Sequence, residues 1–305
     1  MFEARMPDGI AIDIDQFRLR EDADGMVLRC ARCEAEVSAV AWKPGVEYKR
    51  SSHFRLLPGT KHEDDCPAGK SDKGEGSGQT RPIKSPADFP GGYPSRLSIR
   101  SQQVLVGAEN GFVVSSKDRY VHADAGSSQG GGGVRNGNMT SSLLQVCNFY
   151  LNHPECKPWP FSGDGLQGAS YEDIFRSLHR LPREQRLAPR IYFGTMPFKM
   201  DFENSPESLV LVLQQKIGGG SARHYRVKIC WKNWSENRRS RFLNLLEEKR
   251  AHLRERWLQE KRTSSSHRSC VYVFVIGQQA EDDLATFCVT DPRYLCILPW
   301  SYEVP

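Results

Sequence analysis

The chain has 305 residues, which suggests one large domain or two domains of ordinary size. Hydrophobic residues make up 38% of it, less than in an average globular chain, so we expect part of the sequence to lie outside any packed core. Lysine and arginine (42) only slightly outnumber aspartate and glutamate (37). The resulting net charge of +5 excludes the strong basic bias of a protein that wraps DNA.

Three features predict a soluble, cytoplasmic protein that does not cross a membrane. No stretch approaches the ~18 uninterrupted apolar residues of a membrane span. The first ten residues, MFEARMPDGI, have neither the basic nor the apolar region of a signal peptide. The nine cysteines are too scattered for the disulfide framework of a small secreted protein, which favours a reducing compartment.

Composition changes along the chain predict three parts. Residues 1–67 contain short strands around turns and the closely spaced Cys30, Cys33, His62 and Cys66, and we assign them to a small, β-rich, zinc-binding module. Residues 68–103 are rich in glycine, proline, serine and lysine and lack apolar periodicity, which is typical of a linker. Residues 104–305 are assigned to a second, larger domain.

The larger domain begins with a predicted hairpin at Asn110-Gly111. Two helices are predicted to follow. The first is capped by Thr140 and ended by Pro154, and the second is capped by Ser170 and ended by Pro182.

The rest of the larger domain is predicted to be mostly strands. RIYFG, ESLVLVLQQKI and RHYRVKICW have strand composition, and the triple glycine Gly218–Gly220 joins the last two as a hairpin. The longest helix is capped by Ser235 and carries an apolar stripe, and three strands close the chain. This order predicts an α+β fold with two to three helices and a mostly antiparallel sheet, which can curve toward a partly open barrel.

A cluster of cysteines and histidines predicts a zinc site near the amino end. Cys30 and Cys33 form a C-x-x-C pair, and His62 and Cys66 stand four residues apart after a loop. These four residues are the favoured ligands, and His53 is an alternative to His62. A closed set of three cysteines and one histidine leaves no position for substrate, so the expected role of Zn²⁺ is structural.

The same stretch resembles a known family. RCARCEAEV followed by SSHFRLLPGTKHEDDCP is similar to the amino-terminal zinc-finger-like module of bacterial competence CoiA-like proteins. The likeness covers roughly residues 25–67 and implies a bacterial origin. In that family the module is joined to a nuclease domain of the PD-(D/E)xK type, which the resemblance would place after the linker.

A nuclease of that type needs acids and a lysine that hold Mg²⁺ and activate water. The nearest match is Asp201 followed by Gln214 and Lys216 at the end of LVLVLQQK, with Glu172 as a further acid. The match departs from the family pattern, because Gln214 brings no charge. An Mg²⁺-dependent nuclease that uses Asp201, Gln214 and Lys216 is therefore an alternative hypothesis.

The favoured hypothesis is non-enzymatic binding of nucleic acid. Along RHYRVKICW the alternation places Tyr225 and Trp231 on one face, toward the core, and cations on the other, toward solvent. The residues expected to meet phosphates are Arg226, Lys228, Lys232, Arg238, Arg239 and Arg241. A third hypothesis is a subunit of a multi-protein assembly that binds its partners through the long helix.

Overall fold

The computed structural model describes residues 1, 3–43, 46, 48, 52–64, 66, 68, 86, 93–99, 137–181, 186–197, 202–217, 223–263 and 267–303. The predicted hairpin at Asn110-Gly111, the catalytic candidate Asp201 and the triple glycine lie outside these residues. None of the helices in the described ranges combines the length and the apolar composition needed to cross a membrane.

In the described chain, nine strands and three α-helices precede residue 180. They are β1 Glu3–Arg5, β2 Ala11–Asp13, α1 Ile14–Arg18, β3 Leu28–Cys30, β4 Glu36–Val40, β5 His53–Leu56, β6 Tyr93–Leu97, β7 Gly137–Thr140, α2 Leu143–Asn152, β8 Ser162–Gly163, α3 Tyr171–Ile174 and β9 Phe175–Ser177. Strand β6 falls inside the range 68–103 that the composition assigns to a linker.

Eight strands and one long helix make up the remainder of the described chain. They are β10 Ile191–Met196, β11 Phe202–Asn204, β12 Ser208–Lys216, β13 His224–Cys230, α4 Glu236–Thr263, β14 His267–Val275, β15 Gln278–Gln279, β16 Thr286–Val289 and β17 Leu295–Glu303. Strands β12 and β13 pair antiparallel on either side of the triple glycine, as the sequence predicts.

The strands of the described residues form four sheets. The amino-terminal sheet has the order β2-β1-β3-β4-β5 and is antiparallel throughout. A small sheet, β7-β6-β8, is parallel, and the other two, β17-β14-β10-β9 and β11-β12-β13-β16-β15, each contain one parallel pair. The predicted α+β class with mostly antiparallel pairing is confirmed, and none of the sheets in the described chain closes into a barrel.

The sheet β17-β14-β10-β9 lies in the middle of the molecule and is buried on both faces. On one face of β14, Val273 and Val275 are buried in a core shared with α4 and the sheet β11-β12-β13-β16-β15. On the other face, Phe274 is buried in a core shared with α2 and the amino-terminal sheet. Burial on both sides explains why CVYVFV is a continuous apolar run rather than an alternating one. The amino-terminal sheet therefore packs into the same core as α2.

The sequence predicts two of the three helix caps correctly and predicts the length of one helix wrongly. Ser170 and Ser235 accept hydrogen bonds from backbone N–H groups in the first turns of α3 and α4, as predicted. The predicted cap Thr140 is wrong, because Ser142 caps α2. The predicted helix from Ser170 to Pro182 is also wrong, because it has one turn and Phe175 then begins a strand parallel to β10.

Helix α4 is fastened to α1 by side chains from its first half. Arg18, whose side chain is 5% exposed, forms a two-pronged ion pair with Glu248, and Lys249 Nζ lies 2.8 Å from Asp15 Oδ2. Three residues of the apolar stripe of α4, Phe242, Leu246 and Leu253, are buried in the protein's own core, and Trp257 farther along the helix is half-buried. The first three positions are therefore occupied within the chain.

Asp13 is a buried carboxyl group at the contact between the amino-terminal sheet and α2. Its Oδ1 accepts a hydrogen bond from Gln16 N at 2.8 Å, and its Oδ2 accepts one from Ser142 Oγ at 3.1 Å. Burial, reinforced by the negative charges of Asp15 and Glu3, raises the pKa of Asp13 from its usual value of 3.8 to about 7. The Asp13 carboxyl group therefore binds its proton more tightly in the folded protein than in the unfolded chain.

Asp13 makes stability depend on pH in a definite direction. Because the pKa of Asp13 is higher in the folded protein than in the unfolded chain, the protonated Asp13 carboxyl group contributes its full stabilisation below pH ~4. This contribution is lost as the pH rises through about 7. Between pH 5 and pH 8 the wild type should lose about 1 to 3 kcal/mol of unfolding free energy relative to Asp13→Asn. Urea unfolding of both proteins at the two pH values measures this difference. Asp8→Asn, a change at an exposed carboxylate, is the control, and equal pH dependence of wild type and Asp13→Asn would contradict the assignment.

Candidate metal centre and basic surface

Four side chains from two neighbouring segments meet at one point of the amino-terminal module. Cys30 ends β3 and Cys33 lies in the turn before β4, while His62 and Cys66 lie in the segment that follows β5. The turn is held by a hydrogen bond from Cys30 N to Ala35 O at 2.7 Å. The three cysteines are buried and the histidine is half-buried.

The ligand atoms of this group lie within 4.8 Å of one another. His62 Nδ1 is 3.4 Å from Cys33 Sγ and 3.6 Å from Cys66 Sγ, and the sulfur atoms of Cys30 and Cys66 are 3.9 Å apart. Three sulfur atoms and one ring nitrogen converging at these distances can hold a metal ion.

Backbone contacts support both halves of the cluster. Arg32 N donates a hydrogen bond to Cys30 Sγ at 3.4 Å, so the turn itself stabilises charge on that sulfur. In the second segment Cys66 N donates to Glu63 O at 2.9 Å, which forms a turn that directs Cys66 back toward the first pair. The Glu63 carboxylate also accepts from Glu34 N at 3.2 Å and so joins the two segments.

The environment differs between the thiols. Burial raises the pKa of the Cys30 thiol to about 12, and the neighbouring Cys66 thiol adds to the shift. Burial also acts to raise the pKa of Cys33, but hydrogen bonds with His62 and with the Glu63 backbone outweigh it and lower that pKa to about 7. Cys33 thus ionises more readily than Cys30, and a bound cation would stabilise the thiolate forms of the cysteines.

The alternative ligand His53 is placed apart from the cluster. It begins β5, where it pairs with Val40 of β4, and it does not belong to the group whose ligand atoms lie within 4.8 Å of one another. The favoured set with His62 is therefore the one that the structure brings together.

Two residues of the nuclease hypothesis, Gln214 and Lys216, lie at the end of β12. Gln214 and Lys216 are exposed, and Gln214 Oε1 accepts a hydrogen bond from Thr195 Oγ1 at 3.0 Å. Glu172 is exposed on α3, and Asp201 lies outside the described residues. Within the described chain, Glu172 belongs to neither of the two groups of potential metal ligands. No observation on these residues favours the nuclease hypothesis.

Three of the six predicted phosphate-binding cations are exposed. Arg226 and Lys228 project from one face of β13, while Tyr225 and Trp231 are buried on the other, as the alternation predicts. Lys232 follows the strand and is 75% exposed, with its Nζ 3.6 Å from a glutamate carboxylate that is itself mostly exposed. We call Arg226, Lys228 and Lys232 the β13 basic face.

The other three cations are half-buried and engaged within the chain. The Arg238 guanidinium lies over the Trp234 ring, 4.8 Å from its centroid. Arg239 Nη1 donates to a backbone carbonyl in the loop before β12 at 2.9 Å, and Arg241 Nη1 donates to carbonyl oxygens at the end of α1, including that of Arg18 at 3.5 Å. Arg241 therefore helps to dock α4 on α1. The contacts of Arg239 and Arg241 connect residues far apart in sequence, which local charge patterns do not reveal.

A second group of potential metal ligands was not singled out by the sequence analysis. His153, Glu155 and Cys156 follow α2, and their ligand atoms also lie within 4.8 Å of one another. The detectable pattern is H-x-x-C, which has the same spacing as the C-x-x-C pair of the first site. The proline between the two residues was interpreted only as the end of a helix.

Comparison with known proteins gives no relative from which a function could be transferred. No family model matches the chain, and neither the curated proteins nor the solved structures contain a match to it.

Proposed function

We propose that the chain is a zinc-containing protein that binds nucleic acid without cleaving it. The convergence of Cys30, Cys33, His62 and Cys66 carries the zinc part of the proposal. The β13 basic face carries the nucleic-acid part.

The distances in the cluster support zinc in particular. Zinc binds thiolate sulfur at ~2.3 Å and imidazole nitrogen at ~2.0–2.1 Å with tetrahedral geometry, so the sulfur–sulfur and sulfur–nitrogen edges should be about 3.8 and 3.6 Å. The observed sulfur–sulfur distance is 3.9 Å between Cys30 and Cys66. The observed distances from His62 Nδ1 are 3.4 Å to Cys33 Sγ and 3.6 Å to Cys66 Sγ. Soft thiolate ligands also favour zinc over magnesium or calcium.

A structural role for the zinc follows from the ligand count. Four protein ligands complete a tetrahedron and leave no position for water or substrate. The segment with His62 and Cys66 comes after the last strand of its sheet, so the ion would fasten it to the β3–β4 turn. The amino-terminal sheet already shares its core with α2 and the sheet β17-β14-β10-β9, so metal binding would add folding free energy to that packing by holding this segment in place.

The β13 basic face supports contacts with phosphates rather than with bases. Arg226 and Lys228 point to the same side of the strand, and neither forms an ion pair with another described residue. Their aromatic neighbours are buried, so this strand offers no ring on which a base could stack. Binding through this face would depend on charge and would be largely independent of base sequence.

The resemblance to the zinc modules of bacterial CoiA-like proteins is part of the same proposal. It is supported by the order of β3, the C-x-x-C turn, β4 and β5, and by the second ligand pair that follows β5. The module would then position the larger domain on nucleic acid in a bacterial cytoplasm.

Neutralising the β13 basic face should weaken nucleic-acid binding and flatten its salt dependence. Each phosphate contact contributes about 0.9 to the slope of log K against log salt for duplex DNA, so Arg226→Gln with Lys228→Gln should reduce the slope by roughly 2. Fluorescence anisotropy with labelled random-sequence duplex and single-stranded DNA, across a potassium chloride series, measures both quantities.

The matched control removes the same charge from another part of the surface. Arg254→Gln with Arg262→Gln replaces two exposed cations on α4 and should leave the slope nearly unchanged. Equal losses in both double variants would show that only net charge matters. Absence of binding by the wild type at low salt, or affinity that does not change with salt, would refute nucleic-acid binding.

A further inference from the structure

We propose that His153, Glu155 and Cys156 form a second metal site, which takes a divalent transition ion such as Zn²⁺ or Co²⁺ and leaves one coordination position open. His153 Nδ1 and Glu155 Oε1 are 3.2 Å apart, and both lie within 4.8 Å of Cys156 Sγ. The site is separate from the Cys30 cluster in sequence and is independent of the nucleic-acid proposal.

The local backbone explains why these side chains converge. Helix α2 ends at Asn152, the N–H of the cap residue His153 donates to Phe149 O at 3.0 Å, and Pro154 then starts a 3₁₀ turn. Cys156 N donates to His153 O at 3.0 Å and closes the turn. This short turn brings His153 and Cys156 close enough that their ligand atoms lie within 4.8 Å of each other.

The surroundings hold two of the three ligands in place. Cys156 is 1% exposed, and the His153 ring packs on the Phe149 ring with centroids 4.8 Å apart. Glu155 is exposed and completes the group from the solvent side. The positions of the sulfur and the ring nitrogen are therefore set by packing, while the carboxylate can adjust to an ion.

The set of ligands indicates the kind of ion and the kind of site. One thiolate, one imidazole and one carboxylate are the three ligand types that zinc uses, and cobalt accepts the same set. Three protein ligands leave a fourth tetrahedral position to water or to an external anion. This distinguishes the site from the Cys30 cluster, in which the protein supplies all four ligands.

Cobalt titration of the full chain carrying one equivalent of zinc, which the four-ligand Cys30 cluster takes in preference to the three-ligand site, tests the proposal. Zinc binds more tightly than cobalt, so the ion in the Cys30 cluster stays in place while the second site is filled. We expect one equivalent of Co²⁺ to bind, with a thiolate-to-cobalt charge-transfer band. Cys156→Ser should abolish the band, and Glu155→Gln, an exposed change that does not threaten folding, should lower cobalt affinity by about tenfold or more.

Two further measurements make the result decisive. Cys270→Ser, a change at a half-buried thiol on β14, is the control and should leave cobalt binding unchanged. Elemental analysis of every sample should show one retained zinc per chain. A change in cobalt binding can then be assigned to the second site and not to loss of zinc from the Cys30 cluster. Absence of Co²⁺ uptake, or uptake that neither Cys156→Ser nor Glu155→Gln reduces, would overturn the second site.

Discussion

Replacing Cys66 by serine is expected to remove tight metal binding and to destabilise the amino-terminal module. Cys66 is 2% exposed, and its sulfur lies close to both Cys30 and His62. Loss of a thiolate ligand should reduce zinc affinity by at least about 100-fold, which corresponds to about 3 kcal/mol of folding free energy when zinc is present. Elemental analysis after dialysis against a chelator, together with urea unfolding, measures both effects.

The control for this experiment is Cys230→Ser. Cys230 is a half-buried free thiol on β13, outside the cluster, and its replacement should leave zinc content and stability nearly unchanged. Stoichiometric zinc that resists the chelator in Cys66→Ser would contradict the assignment of this residue as a ligand. Equal zinc loss in the two variants would also contradict it.

Phe17→Ala is expected to lower the free energy of unfolding by about 3 to 5 kcal/mol, as is typical of a buried phenylalanine. Phe17 is 1% exposed, and its ring packs edge-on against Trp42 and Phe54 at 5.1 and 5.7 Å between centroids. The same core continues into α2 and the middle sheet. The substitution should therefore lower the free energy of unfolding of all the elements that share this core, and not only that of the amino-terminal sheet.

Unfolding followed by two signals tests this continuity. Far-UV circular dichroism reports mainly on the helices, and the fluorescence of Trp42 reports on the module when the other tryptophans are replaced by phenylalanine. In the Phe17→Ala protein both midpoints should fall together. Phe202→Ala, a change at a half-exposed ring on the edge strand β11, should cost much less. A lower midpoint for Trp42 alone would show that the module unfolds independently.

The parts of the fold that depend on neighbouring residues are predictable from the sequence. The C-x-x-C turn, the caps Ser170 and Ser235, and the alternation along β13 all follow from short-range rules, and the structure bears them out. The fold class follows as well, because it depends on the order of such elements.

The parts that depend on distant contacts were not predictable. Phe175 leaves the helical pattern because β9 pairs with β10 and its ring enters a core of residues from α2 and β14, so tertiary packing overrides local propensity. Arg241 is in a basic run typical of a phosphate-binding surface, yet it binds carbonyl oxygens at the end of α1. Likewise, the ion pair between Arg18 and Glu248 joins residues 230 positions apart.

X-ray absorption at the zinc edge tests the central claim most directly. The full chain carrying one equivalent of zinc should show three sulfur ligands at ~2.3 Å and one nitrogen at ~2.0–2.1 Å, as Cys30, Cys33, Cys66 and His62 require. A shell of oxygen and nitrogen alone, a shell with a single sulfur, or protein that retains no zinc would contradict the account.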